Sequence, residues 1–241
     1  MNNIGVGIFC FGENYYFRGT KEKIEELKKQ NIPVYVLTDE PEKFTEVPVI
    51  QYDRHLKSYS DKMILPKHIL KNHDICILLD ADTHVTDYSF LESLKTYNFK
   101  KGVTYIDTLL NHSAKKEFVK DLVDQTNPEW KTYVEYASKL YPPFFNFETI
   151  WEYFLVINKD GFDVDSFYYY YEKLQVVKEY SDLPLKKEVS GAGEGISIQI
   201  SCKSANIDIQ RDNELYELLG HKMISISRRH TPPHLWPKWM R

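Results

Sequence analysis

The sequence has few cysteines: Cys10, Cys76 and Cys202. An odd number, widely spaced, excludes a disulfide framework. Cys76 stands inside an apolar run and reads as a small buried hydrophobe. No cysteine and histidine cluster has the spacing of a zinc site. No basic block points to nucleic acid, and no acidic tail points to a charge-driven partner; acids and bases are mixed, with a formal net charge of −4. No stretch approaches the roughly 18 apolar residues that a membrane span needs. The opening "MNNIGVGIFCFGEN" lacks the basic start and apolar core of a signal peptide. A cytoplasmic protein with no membrane span and no nucleic-acid partner is therefore expected. Repeats, low-complexity linkers and clear domain boundaries are also missing, which suits one domain over residues 1–241.

What is present is enough for a core. The chain is 42% hydrophobic and 27% charged. Aromatic residues make up 15%, led by 18 tyrosines. Tyrosine carries a flat apolar face and a polar tip, which suits stacking on sugars or bases, or filling a core.

The pattern predicts an α/β fold. "NIGVGIFCF" reads as a buried strand, with glycines where backbone can approach a ligand. "GTKEKIEELKKQN" reads as a helix capped by Thr20, with Ile24 and Leu27 facing inward. "IPVYVLTDEP" and "VPVIQYD" read as the second and third strands. "SYSDKMILPKHILKNHD" reads as a helix capped near Ser60, and Pro66 calls for a kink or a late start. "ICILLDADTHV" is the fourth strand. Continuous apolar runs of this kind belong to a sheet covered on both faces. Beyond it, "KGVTYIDT" and "WEYFLVINKDGF" are strand-like, and "SAKKEFVKDLVDQTNPEWKTYVEYASKLY" and "DVDSFYYYYEKLQVVKEYSD" are helical. "SGAGEGISIQISCKSANIDI" reads as a glycine-rich turn and an amphipathic segment; "HKMISIS" is a last strand before a proline- and tryptophan-rich tail.

The fourth strand runs straight into Asp80 and Asp82. Ligands of open α/β sheets bind beyond the carboxyl ends of the strands. Residues two apart in extended chain point the same way, so both carboxylates can reach one hard cation. Two carboxylates with diphosphate oxygens and water suit Mg²⁺ or Mn²⁺, which would neutralise a diphosphate leaving group. The same letters occur in haloacid-dehalogenase-type phosphatases, D-x-D-x-[TV], with the first aspartate as nucleophile. Here His84 holds the fifth position and Thr83 falls one place early, on the fourth strand rather than the first.

The first half resembles the GT-A-fold, Rossmann-like glycosyltransferases that use nucleotide sugars. It is most similar to the retaining blood-group-type galactosyl/N-acetylgalactosaminyltransferase family, with the glycogenin-like family more distant. The likeness is carried by "GVGIFCFGENYYF", "VLTDEPEKFTEVPVI", "SDKMILPKHIL" and "ILLDADTHV". It implies a mostly parallel central sheet flanked by helices, a nucleotide-binding half over about 1–90 and an acceptor-binding half over about 91–241. It places Phe9, Cys10 and Tyr15 at the uracil and ribose, Lys62 at the diphosphate or ribose, and Asp80 and Asp82 at the metal and the diphosphate. Some bacterial relatives carry asparagine at both places and need no metal; the two aspartates here imply metal dependence.

In the second half, "SGAGEGISIQI" resembles the family stretch whose acidic residue lies beneath the anomeric carbon. That implies Glu194 as the catalytic carboxylate, although Gly193 stands where the family has aspartate. Such a carboxylate stabilises an oxocarbenium-like transition state or attacks it. "FNFETIWEYFLVINK" implies Trp151 and Glu152 at the donor sugar or acceptor. In "RRHTPPHLWPKW", Arg228, Arg229 and Lys238 are implied phosphate contacts, and His230 a third metal ligand. The expected activity is transfer of a hexose from a UDP-sugar to a hydroxyl of a glycan or similar acceptor, with retention. The alternatives are the phosphatase with Asp80 as nucleophile, a nucleotidyltransferase, for which "FCFGENYYFRG" is a poor basic loop, and a non-catalytic sugar- or nucleotide-binding module.

Overall fold

The structure, a computed structural model, describes residues 1–11, 14–51, 62–106, 150, 154–180, 190–219 and 222–225. A seven-stranded sheet runs through them in the order β3-β2-β1-β4-β7-β6-β8. Its strands are β1 (Ile4–Phe9), β2 (Val34–Thr38), β3 (Val49–Gln51), β4 (Ile75–Asp80), β6 (Gly102–Tyr105), β7 (Phe154–Asn158) and β8 (Ile209–Arg211). β7 pairs antiparallel with both β4 and β6, and every other pairing is parallel. Six strands thus point one way, and the expected mostly parallel sheet is borne out. A two-stranded ribbon joins β5 (Thr83–Val85) to β9 (Met223–Ser225).

Alternation divides the central strands between two cores. Ile4, Val6, Ile8 and Cys10 of the β1 segment share one core with Ile75, Ile77, Leu79 and Ala81 of the β4 segment. Over this face lie α1 (Asn14–Lys29), α3 (Phe90–Leu94) and α6 (Asn213–Leu219), through Ile24 and Leu27, Leu91 and Leu94, and Leu215 and Leu219. Phe9, Cys76 and Leu78 turn to the other face. It is covered by α2 (Ile64–Ile69), α4 (Val164–Tyr180) and α5 (Ser190–Ser204), through Leu65 and Ile69, Phe167 and Tyr171, and Ile198 and Cys202. Apolar runs on both sides of each strand are what this sandwich requires.

Three local expectations need correction. Thr20 does not cap the first helix: α1 starts at Asn14, six residues before it, and Thr20 is buried within it. The aromatic turn "NYYF" extends the helix because Phe17 packs into the first core and stacks on Phe44. Gly5 and Gly7 admit α2 rather than a ligand. A methyl on Gly7 would meet Ile69 Cδ1 at 2.9 Å and Leu78 Cδ2 at 3.0 Å, so the helix sits on bare backbone. The glycine-rich "SGAGEG" is the first part of α5, not a turn. Pro66 falls in the first turn of α2, where a missing N–H is harmless, so the expected late start is what occurs. Ser60 lies outside the described residues.

Candidate functional site

At its carboxyl end β4 stops at Asp80, and the chain re-enters a ladder only at Thr83 of β5. Between them the alternation continues. Ala81 is buried in the first core, whereas Asp80 and Asp82 are half-buried. Burial thus alternates through the turn, as the spacing of the two carboxylates predicts.

Lys62 comes to the same place. It stands in the helical turn that leads into α2, and its side chain is 2% exposed. Its Nζ donates to Asp80 Oδ1 at 2.8 Å. The next residue, Met63, is fixed by its carbonyl, which accepts the buried Tyr168 hydroxyl from α4. A second lysine arrives from the opposite face. Lys23 of α1 is 2% exposed and donates from Nζ to the Ala81 carbonyl at 2.8 Å. Burial pushes this ammonium down to about 8, while the charges of Asp82 and Asp80 hold it up. Asp82 has no ion pair among the described residues, and its pKa is raised by burial first and by the Asp80 charge second. A carboxylate in that setting is stabilised by any cation brought to it.

The donor set fits a hard divalent ion. Lys62 holds one oxygen of Asp80, and Asp82, two residues on, makes no close ion pair among the described residues. Mg²⁺ and Mn²⁺ take one or two carboxylates and complete their shell with water and phosphate oxygens. Among the described residues, no group of three or more His, Cys, Asp or Glu gathers as a closed metal cage. Asp80 and Asp82 would hold such an ion through two carboxylates, with ligand oxygens completing its shell.

Of the other expected site residues, Phe9 ends β1 opposite Asp80 and is buried. Its ring lies 4.6 Å from that of half-buried Phe11, which the sequence analysis passed over. Cys10 is wholly buried in the first core, and burial pushes its thiol up to about 12, so it is inert. Tyr15 lies in the first turn of α1 and Glu194 in the first half of α5. Trp151, Glu152, Arg228, Arg229, His230 and Lys238 lie outside the described residues. Sequence reasoning also missed Lys23. The signal was its spacing: Thr20, Lys23, Ile24 and Leu27 fall at i, i+3, i+4 and i+7, on one inward face.

No family profile matches this chain, and no curated protein matches it in sequence. Solved structures give distant likenesses. One is a glycosyltransferase involved in the glycosylation of the major capsid of PBCV-1, with 12% identity and a TM-score of 0.45 over 94% of this chain and 93% of that one. A second is the galactosyltransferase LgtC in complex with donor and acceptor sugar analogs, with 12% identity and a TM-score of 0.47 over 95% and 81%. A third is the 4-diphosphocytidyl-2C-methyl-D-erythritol synthase of Anaerococcus prevotii DSM 20548, with 10% identity and a TM-score of 0.41 over 88% of each chain. At these values the fold rests on the strand order and register above, and the chemistry on the residues.

Proposed function

We propose that this chain is a GT-A-type glycosyltransferase that moves a hexose from a UDP-sugar to a hydroxyl of a glycan or similar acceptor. The observation that carries the reading is the Asp80–Asp82 pair. It lies at the carboxyl end of central strand β4, half-buried, with a buried lysine on its first member. The proposed cofactor is Mn²⁺ or Mg²⁺ held by Asp80 and Asp82. When bound, it supplies Lewis-acid neutralisation of the departing diphosphate. Lys62 orients Asp80 and offsets its charge. The Phe9 and Phe11 rings, at the end of the neighbouring strand, are suited to the nucleoside.

The remaining roles are assigned by topology. α5 leads through residues 205–208 into β8, which is parallel to β6. The helix therefore runs back against the strands, and its first turns rise toward the edge of the sheet that bears Asp80. That supports Glu194 as the carboxylate facing the anomeric carbon, a role suited to transfer with retention. In the ribbon, Ser225 of β9 pairs with Thr83, next to Asp82. The chain beyond Ser225 thus starts beside the aspartates, which supports Arg228, Arg229 and Lys238 as diphosphate contacts and His230 as a further ligand. Trp151 and Glu152 precede β7, the neighbour of β4, and are assigned to the sugar or acceptor.

The test is nucleotide release from a panel of UDP- and GDP-hexoses with Mn²⁺, with Glu194→Gln as the paired control. Release of UDP from one UDP-hexose, at least about 100-fold slower in the variant, is expected. Phosphate-ester hydrolysis without any sugar-nucleotide turnover would overturn the reading in favour of a phosphatase.

A further inference from the structure

The carboxylate pair sits on a break in the backbone ladder. Asp80 is the last residue of β4 in register with β1, opposite Phe9, and Thr83 is the first residue of the β5–β9 ribbon. Ala81 and Asp82 belong to neither. Every buried carbonyl needs a donor, and between the two ladders strand pairing does not supply one among the described residues. Ala81 is 8% exposed, so water is a poor substitute. The donor is the Lys23 ammonium, at 2.8 Å. The same nitrogen lies 3.4 Å from the Gly19 carbonyl one turn back in its own helix.

A lysine is a costly way to satisfy a carbonyl, since burying an ammonium disfavours the charged form. Two features of the place account for it. Lys23 reaches the turn from α1 and bonds the backbone between the two aspartates rather than either carboxylate. It also sets a positive charge beside two acids that repel each other. Lys62 acts from the other side, on the Asp80 side chain itself. One aspartate is thus oriented through its carboxylate, and the other through the peptide before it.

We propose that Lys23 is a positioning residue for the aspartate pair: by holding the Ala81 carbonyl it sets the orientation of Asp82 and hence the affinity of the site for a divalent cation with a nucleoside diphosphate. The inference rests on the functional reading above and deepens it. Groups that orient a metal ligand from outside the coordination shell change affinity about 10- to 100-fold when removed.

The experiment uses the full chain with Lys23→Met, which keeps an apolar stem of similar length in the core, and Lys23→Gln, which keeps a neutral donor. Hydrogen exchange across residues 78–86 is measured without ligand. Mn²⁺ with UDP is then titrated by calorimetry, and circular dichroism checks each fold. Lys23→Met should exchange faster at residues 80–83 and bind Mn²⁺–UDP at least about ten-fold more weakly. Lys23→Gln should fall between it and the wild type. Unchanged exchange in Lys23→Met would overturn the proposal, because the strut would then hold nothing. Faster exchange with unchanged affinity would also overturn it, leaving a purely structural bond. A wild-type protein that binds no Mn²⁺–UDP would sink the functional reading itself and the inference with it; the exchange data separate this outcome from the other two, since they need no ligand.

Discussion

Strands β1 and β4 carry a polar cluster at each end, built around buried His73 at one and buried Lys23 and Lys62 at the other, and the two are satisfied by opposite means. Where the strands begin, His73 is 7% exposed and held between neutral partners: Asn3 Oδ1 lies 2.8 Å from Nδ1, and the Tyr35 hydroxyl 2.9 Å from Nε2. Both ring nitrogens are used, one as donor to the amide oxygen and one as acceptor from the hydroxyl. Burial lowers the histidine pKa further, so the ring stays neutral. Where the strands end, charges do the work. Lys62 pairs with Asp80, Lys23 takes a backbone carbonyl, and Asp82 makes no close ion pair among the described residues, although the charges of Lys23 and Lys62 act on it. The first cluster is closed and has nothing left to offer. The second is arranged around a charge that a ligand can complete. Closed networks serve stability; open ones mark sites.

The largest effect should separate the two ends outright. Asp80→Asn and Asp82→Asn should each weaken cation-dependent UDP binding by at least about 100-fold in calorimetric titration, exceeding the loss from an orienting neighbour. His73→Gln should leave that binding unchanged. Equal losses at both ends would erase the distinction.

Stability should respond next. Asp80→Asn leaves the buried Lys62 ammonium without its carboxylate and should cost about 2 kcal/mol by urea unfolding. Lys62→Met should cost less, about 1 kcal/mol, because the Asp80 side chain it abandons is 31% exposed and water can take it up. The reverse order would mean that the pair is not asymmetric as described. His73→Gln should cost about 1 kcal/mol through its strained or lost bonds to Asn3 and Tyr35.

The smallest effect is a pH dependence. His73 binds a proton less readily folded than unfolded, where its pKa is near 6.5. Below that pH the unfolded state takes up more protons, so stability falls as the solution is acidified through 6.5 and is insensitive to this group above it. In His73→Gln that component of the slope should vanish; if it persists, the closed cluster is not its source.

These contrasts also explain what the sequence could reveal. The first four strands were legible because buried parallel strands are continuous apolar runs, and the Asp80–Asp82 pair because it interrupts the most apolar of them. Helix α5 was obscured by "GISIQIS", whose alternating serines and isoleucines imitate a half-buried strand. In the fold, Ser197 and Ser201 are as buried as Ile198 and Ile200, so this part of the helix is enclosed on more than one side. Lys23 was hidden by its neighbours. Within "TKEKIEELKK" a lysine looks solvated, and only its tertiary partner, 58 positions away, shows otherwise.

The most direct test of the central claim is calorimetric titration of the protein with UDP, first in Mn²⁺ and then in EDTA, repeated with Asp82→Asn. The account predicts binding in Mn²⁺ that is lost in EDTA and lost in the variant. UDP binding that ignores both the chelator and the substitution would contradict it, and would leave the two aspartates without the role given to them here.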